Sequence, residues 1–259
     1  MIHHLLSVVK RTIYQWYYNI RYIRELKKLA EYKNKYTDKR CFVIGTGPSL
    51  KVEDLNLLEG EYTFASNSIF RYLDKTNWRP NFYAVCDRTY YWANKVNCDA
   101  VKAKTQKFFP LDFALSFGFD QNYRYFLRPY YGSRNPKFKT NPMRAFEEGS
   151  TVTFHLLQLA AMMGFREIYL LGIDFNYSLH IDNKGKIIRD DNVKDYAFND
   201  KAANYTIPNL EASYYAYCSA EEYCKKNNYR MRIYNATRGG KLEVFKRVDL
   251  DEVIINKNR

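Results

Sequence analysis

Short apolar runs recur along this chain with stretches of helical period between them, and that alternation constrains the fold more than any other feature of the sequence. Cys41–Ile44, Tyr62–Ala65, Phe82–Cys86, Lys107–Phe109, Tyr125–Leu127, Glu167–Leu171 and Arg230–Tyr234 are short, apolar and bounded by turn-forming or polar residues, which predicts strands. Thr151–Met163 and Leu210–Lys226 carry the clearest helical spacing. Strands separated by helices imply βαβ units, so the expected fold is α/β: a single doubly wound, mostly parallel sheet that binds ligands at the carboxyl ends of its strands. With 259 residues and 46% hydrophobic content the chain can fill one such core.

The globular domain is expected over residues 38–259, behind a basic amphipathic helix in residues 1–37. Ile2, Leu5, Leu6, Val9, Ile13, Trp16, Tyr17 and Ile20 form one stripe at helical spacing, flanked by Lys10, Arg11, Arg21, Arg24, Lys27 and Lys28. Residues 1–40 hold ten Lys/Arg against three Asp/Glu, over half of the formal charge of +13. A stripe of this kind, with Trp at its middle and cations at its edges, fits an anionic membrane surface through residues 1–32. The other reading is a contact with the chain's own domain or with a second copy in a homo-oligomer. Because the basicity is concentrated here and no recognition module accompanies it, nucleic acid is not an expected partner. No apolar run reaches the roughly 18–20 residues of a spanning helix. The five cysteines include no CxxC pair, which fits a reduced, cytoplasmic protein without structural zinc.

Between Tyr177 and Pro208 the sequence turns polar, charged and Asn-rich with no clear period. A stretch of that length inside a domain is a lid or a variable surface loop, and a lid over about 177–208 is the expectation.

Residues of chemical interest fall at the strand ends. After Cys41–Ile44 comes Gly45-Thr46-Gly47-Pro48-Ser49-Leu50. Its glycines permit a sharp turn and close ligand approach, Pro48 suits a helix start, and the turn is expected to point free N–H groups at a polar or anionic ligand. It lacks both the third glycine of a dinucleotide fingerprint and the Gly-Lys-Ser/Thr of a P-loop. Asn67 follows the second strand and Asp87 the third; each is a ligand contact or a simple cap. Ser150 and Thr151 open the helix at Val152, and Asp174 ends the strand at Glu167–Leu171, at the root of the lid.

In order, Val43–Leu50 (VIGTGPSL), Ala65–Asn67, Phe82–Asp87 and Gly164–Phe175 (GFREIYLLGIDF) resemble the bacterial sialyltransferases of glycosyltransferase family 42 and the related group called DUF115 or MptE-like. The resemblance covers roughly residues 40–176. It implies a Rossmann-like domain that takes a sugar from a CMP-activated donor without a metal and transfers it with inversion. Nucleotide contacts carried over by it are Thr46, Gly47, Ser49, Asn67, Asp87, Ser150 and Thr151; Gly45 and Asp174 join them as candidates from their places at the strand ends. Thr46 stands where those enzymes have Asn, and Asp87 where they have an amide, which leaves room for a different nucleotide or sugar.

In that family a lid histidine activates the acceptor hydroxyl and tyrosines hold the departing phosphate. His180 is the histidine nearest the lid's start, while His155 falls inside a predicted helix and reads as structural. Asp174 and Asp87 are the carboxylate alternatives for the base. Tyr177, Tyr196 and Tyr205, with Lys194 and Lys201, are the candidate phosphate partners. The expected acceptor is a bacterial surface glycan or glycolipid, reached from the inner face of the plasma membrane. An MptE-like diphosphokinase working on magnesium-ATP, and a non-catalytic membrane-docked subunit of a polysaccharide-assembly complex, are the competing readings.

Overall fold

Every run named above forms a strand, with ends moved by one or two residues. The computed structural model describes residues 2–129, 132–181, 187–190, 192–195 and 209–255; the side chains of residues 2–8, 179–181, 187 and 189 lie outside that description. The strands of the main sheet are β1 (Arg40–Ile44), β2 (Tyr62–Ser66), β3 (Phe82–Ala84), β4 (Gln106–Pro110), β5 (Tyr123–Phe126), β6 (Glu167–Leu171), β9 (Arg232–Asn235) and β10 (Lys246–Arg247). They assemble in the order β10-β9-β6-β1-β2-β3-β4-β5, every pairing parallel.

The order runs one way from β1 through β2 to β5 and the other way from β1 through β6, so the switch point lies between β1 and β6, where Val43 pairs with Leu170 and Ile44 with Leu171. Successive residues of β1 feed opposite faces: Cys41 and Val43 join one buried cluster, Phe42 and Ile44 the other. Covered on both sides, β1 has no solvent face to encode, which is why it reads as an unbroken apolar run.

Over the first face lie α7 (Val152–Met162) and α8 (Leu210–Lys226), the two helices with the clearest sequence period. The second face carries α3 (Val52–Leu57), α5 (Lys95–Ala100), α6 (Leu111–Phe117) and α9 (Leu250–Ile255). The same face carries α4 (Arg88–Ala93), through Tyr91, and a 3-10 turn over Asn67–Tyr72, through Ile69 and Tyr72.

The N-terminal segment comprises two helices, α1 (Ile2–Arg21) and α2 (Ile23–Ala30). Leu26 and Leu29 are fully buried in the core, and Asn34 and Tyr36 donate backbone bonds to Met162 and Met163. No break in packing therefore falls at residue 37: α2 and the following turns belong to the domain, because Leu26, Leu29 and Tyr32 supply core side chains. Among the described residues no helix is long and apolar enough to cross a membrane.

The expected lid differs from an irregular loop. Its described part forms an antiparallel hairpin, β7 (Leu179–Ile181) with β8 (Ile187–Arg189), in which His180 pairs with Ile188. At its base, Ser178 Oγ donates to Asp195 Oδ2 at 2.7 Å and Asp190 N to the Ser178 carbonyl at 2.8 Å. Tyr196, Lys201 and Tyr205 lie outside the described residues, as does the side chain of His180.

Candidate active site

A cleft of about 640 Å³ opens at the switch point, along the carboxyl ends of β1, β2, β3 and β6. Gly45, Thr46, Gly47, Asn67, Asp87, Ser150, Thr151, Asp174 and Tyr177 all line it. Ser49 sits behind this lining, with its hydroxyl donating to Asp174 Oδ2 at 2.8 Å.

The glycine turn is built differently from the expectation. Gly45 N–H donates to Leu171 O at 2.8 Å, Gly47 N–H to Gly172 O at 3.0 Å, and Ser49 N–H reaches Asp174 Oδ2 at 3.4 Å. These N–H groups are spent on the β6 turn, and only Thr46 N–H is left without an acceptor among the described residues. The glycines are required by that neighbour: a Cβ on Gly47 would lie 1.9 Å from Asp174 Oδ2, and one on Gly45 2.4 Å from Gly172 O. Pro48 does not start a helix either. It sits in a turn closed by Leu50 N–H to Gly47 O at 3.1 Å, and α3 begins later, behind Lys51.

Asp174 is half-buried, and its carboxyl is held above the usual range by burial, with the Ser49 bonds opposing that rise. Its backbone is fixed as well, since Lys241 N–H donates to Asp174 O at 2.7 Å.

Asp87 and Thr151 are caps. Asp87 Oδ1 accepts from Tyr90 N–H at 2.9 Å at the head of α4, and Thr151 Oγ1 accepts from Thr153 N–H at 3.3 Å at the head of α7. The N–H groups of Ser150, Thr151 and Val152 have no acceptor among the described residues, so the head of α7, rather than the glycine turn, supplies free donors to the cleft. Ser150 takes a left-handed φ of 53°, and so does Asn67, at 43°. Asn67 gives its backbone carbonyl to the Tyr83 hydroxyl at 2.8 Å, while its side-chain Oδ1 is buried without a partner among the described residues.

Several lining residues carried no sequence signal. Arg128 reaches Asp112 at 2.5 Å, Glu148 at 2.8 Å and the Cys86 carbonyl at 2.9 Å, which ties β3, α6 and the segment before α7 together. Those carboxylates outweigh burial and hold its guanidinium above the ordinary value. Tyr217 of α8 is buried against the Thr151 and Thr153 hydroxyls, and with Tyr177 it brackets Phe175, at ring distances of 5.8 and 6.3 Å. His155 also lines the cleft, buried, 5.2 Å from the Phe126 ring, and neither ring nitrogen has a close, well-aligned partner among the described residues.

Among the described residues the lining holds four carboxylates, Asp87, Glu148, Asp174 and Asp195, against two guanidinium groups, Arg88 and Arg128. Among the described residues no three acidic, His or Cys side chains converge as a ready-made metal cage. A magnesium ion here would be held largely by substrate phosphates with one carboxylate, the usual manner for that ion.

The fold is shared with the MAf glycosyltransferase of Magnetospirillum magneticum AMB-1, to which the chain is similar at 16% identity with a TM-score of 0.55. The similarity covers 91% of this chain but 40% of that one. No curated protein matches the chain significantly. The family model for 6-hydroxymethylpterin diphosphokinase MptE-like proteins matches residues 14–179, a span that holds every strand end of the cleft, and the chain thus belongs to the MptE-like family.

Proposed function

We propose that the chain is a nucleotide-dependent transferase that moves a sugar from a CMP-activated donor onto a surface-glycan or glycolipid acceptor, without a metal and with inversion. The observation that carries this reading is the pairing of Asn67 with the head of α7. The partnerless Asn67 Oδ1 is an acceptor for a base amine or a ribose hydroxyl, and the free N–H groups at Ser150–Val152 are donors for a phosphate.

In this reading Asp174, whose Oδ2 is held by Ser49, takes the acceptor hydroxyl proton on Oδ1. The new glycosidic bond forms as the bond to the CMP phosphate oxygen breaks, and Tyr177 and Tyr217 donate toward the departing phosphate. His180 and Asp87 are the alternative bases. The likeness to a MAf glycosyltransferase supports the reading as an analogy of fold.

A second reading, magnesium-dependent diphosphate transfer from ATP, is favoured by the excess of carboxylates in the lining and by the family's description. Calorimetric titration with CMP, UDP, GDP and ATP, each in EDTA and in magnesium, separates the two. CMP binding that survives EDTA, and weakens about tenfold in Asn67→Ala through loss of one buried acceptor, is the expected result. Magnesium-dependent ATP binding would replace the first reading by the second, and no binding at millimolar nucleotide would refute both.

A further inference from the structure

The helix α1 is fastened to the body along one side. Arg11 Nη2 meets Glu147 Oε1 at 2.7 Å, Gln15 Oε1 accepts from Ala145 N–H at 2.8 Å, and Asn19 Nδ2 donates to Met143 O at 3.0 Å. Tyr14, Tyr18 and Tyr22 pack on the core along the same side. At about 100° per residue the opposite side falls on Val9, Ile13, Trp16, Tyr17 and Ile20. All five are exposed, from 46% at Val9 to 67% at Trp16. Phe119, half exposed and stacked on Tyr22 at 5.9 Å, extends this apolar strip past the end of α1.

Cations border the strip. Lys10, Arg21, Arg24 and Lys27 are exposed, and among the described residues none has an ion-pair partner. Glu25, the one acid in residues 1–30, is engaged by Lys28 at 2.7 Å. An apolar ridge with an aromatic crest and an unneutralised basic rim is complementary to the headgroup zone of an anionic bilayer, where rings and aliphatic side chains enter the acyl boundary and cations meet phosphates. A second copy of the chain fits the same ridge less well, because pairing two ridges sets one basic rim against another with no free acid on α1 or α2 to neutralise it.

We propose that the outer side of α1 is a docking surface for an anionic lipid bilayer, on which the chain lies without crossing. The polar fastening to residues 143–147 makes the ridge a rigid part of the domain, and its attachment does not depend on what the cleft binds.

The test uses the full chain without nucleotide, floated with vesicles of phosphatidylcholine alone or with roughly 30% phosphatidylglycerol. Flotation is expected only with the anionic vesicles, and salt of about 0.5 M should weaken it. Lys10→Gln with Arg21→Gln should lower the partition coefficient about 25-fold, at about fivefold per cation. Ile13→Ser, Trp16→Ser and Ile20→Ser together should abolish flotation, and because these side chains are exposed, the melting temperature should stay within a few degrees of the parent's. The proposal is overturned if the parent chain fails to float with anionic vesicles or if the triple variant floats as the parent does. It is equally overturned if light scattering shows a non-floating parent dimer that the triple variant converts to monomer.

Discussion

Replacing His155 by Phe should remove a pH-dependent loss of stability that the wild-type chain carries between neutral and acid pH. The imidazole is fully enclosed beside Phe126. Burial first, then the neighbouring positive charge of Arg128, pushes its pKa down from 6.5 to about 3, and the Thr151 carbonyl one turn back opposes that fall only in part. The sign follows directly. Above pH 6.5 the ring is neutral in both states and costs nothing. As pH falls from 6.5 toward 3 the unfolded chain binds a proton that the folded chain refuses, so stability is lost across that window. With a folded value of about 3 against 6.5 unfolded, the loss between pH 7 and 4.5 from this one group is about 2–3 kcal/mol. Urea unfolding of wild type and His155→Phe at both pH values measures it, because every other titrating group is common to the two. The variant should lose about 2–3 kcal/mol less than wild type on acidification. Equal losses in the two proteins would show that the ring is not held neutral and would sink the argument.

Gly47→Ala forces a Cβ into Asp174 Oδ2 and Gly172 O, so it should lower stability by about 1–3 kcal/mol in chemical denaturation and weaken nucleotide binding in the same titration used above. Arg128→Met leaves Asp112 and Glu148 facing each other without their shared cation; a stability loss on the order of 2 kcal/mol is expected, and since all three groups are partly exposed, a loss above roughly 5 would contradict the geometry. Cys41, Cys86, Cys98 and Cys224 are buried with thiols held above their ordinary range by burial, whereas Cys218 is partly exposed. A colorimetric thiol reagent should therefore modify Cys218 alone in the native chain, and rapid labelling of a second thiol would refute the buried assignment.

What the sequence disclosed followed from how local each signal is. Strands β1 and β6 were legible because burial on both faces demands an unbroken apolar run, and the cap at Thr151 was legible because caps are set by adjacent residues. The left-handed turns at Asn67 and Ser150 carried no glycine to announce them. Arg128 was invisible for another reason: its partners Asp112 and Glu148 lie 16 and 20 positions away in opposite directions, and no spacing rule links charges across α6 and β5. The hairpin of β7 and β8 escaped because its strands are three residues each and set in polar surroundings, too short for alternation to register. On α1 the apolar stripe was plain from period alone, but which side faces outward depended on Arg11, Gln15 and Asn19 finding polar partners in residues 143–147.

The interlock of the Gly45–Ser49 turn with Gly172–Asp174 has a consequence for synthesis of the chain. The two halves meet across 125 positions between Ser49 and Asp174, so a growing polypeptide can form β1 to β5 while the floor of the cleft does not yet exist. On the proposed nucleotide-dependent reading, nucleotide cannot assist folding of that early portion, and a ribosome-bound chain should gain affinity for it in one step, when the segment through Asp174 has cleared the exit tunnel and locked against β1.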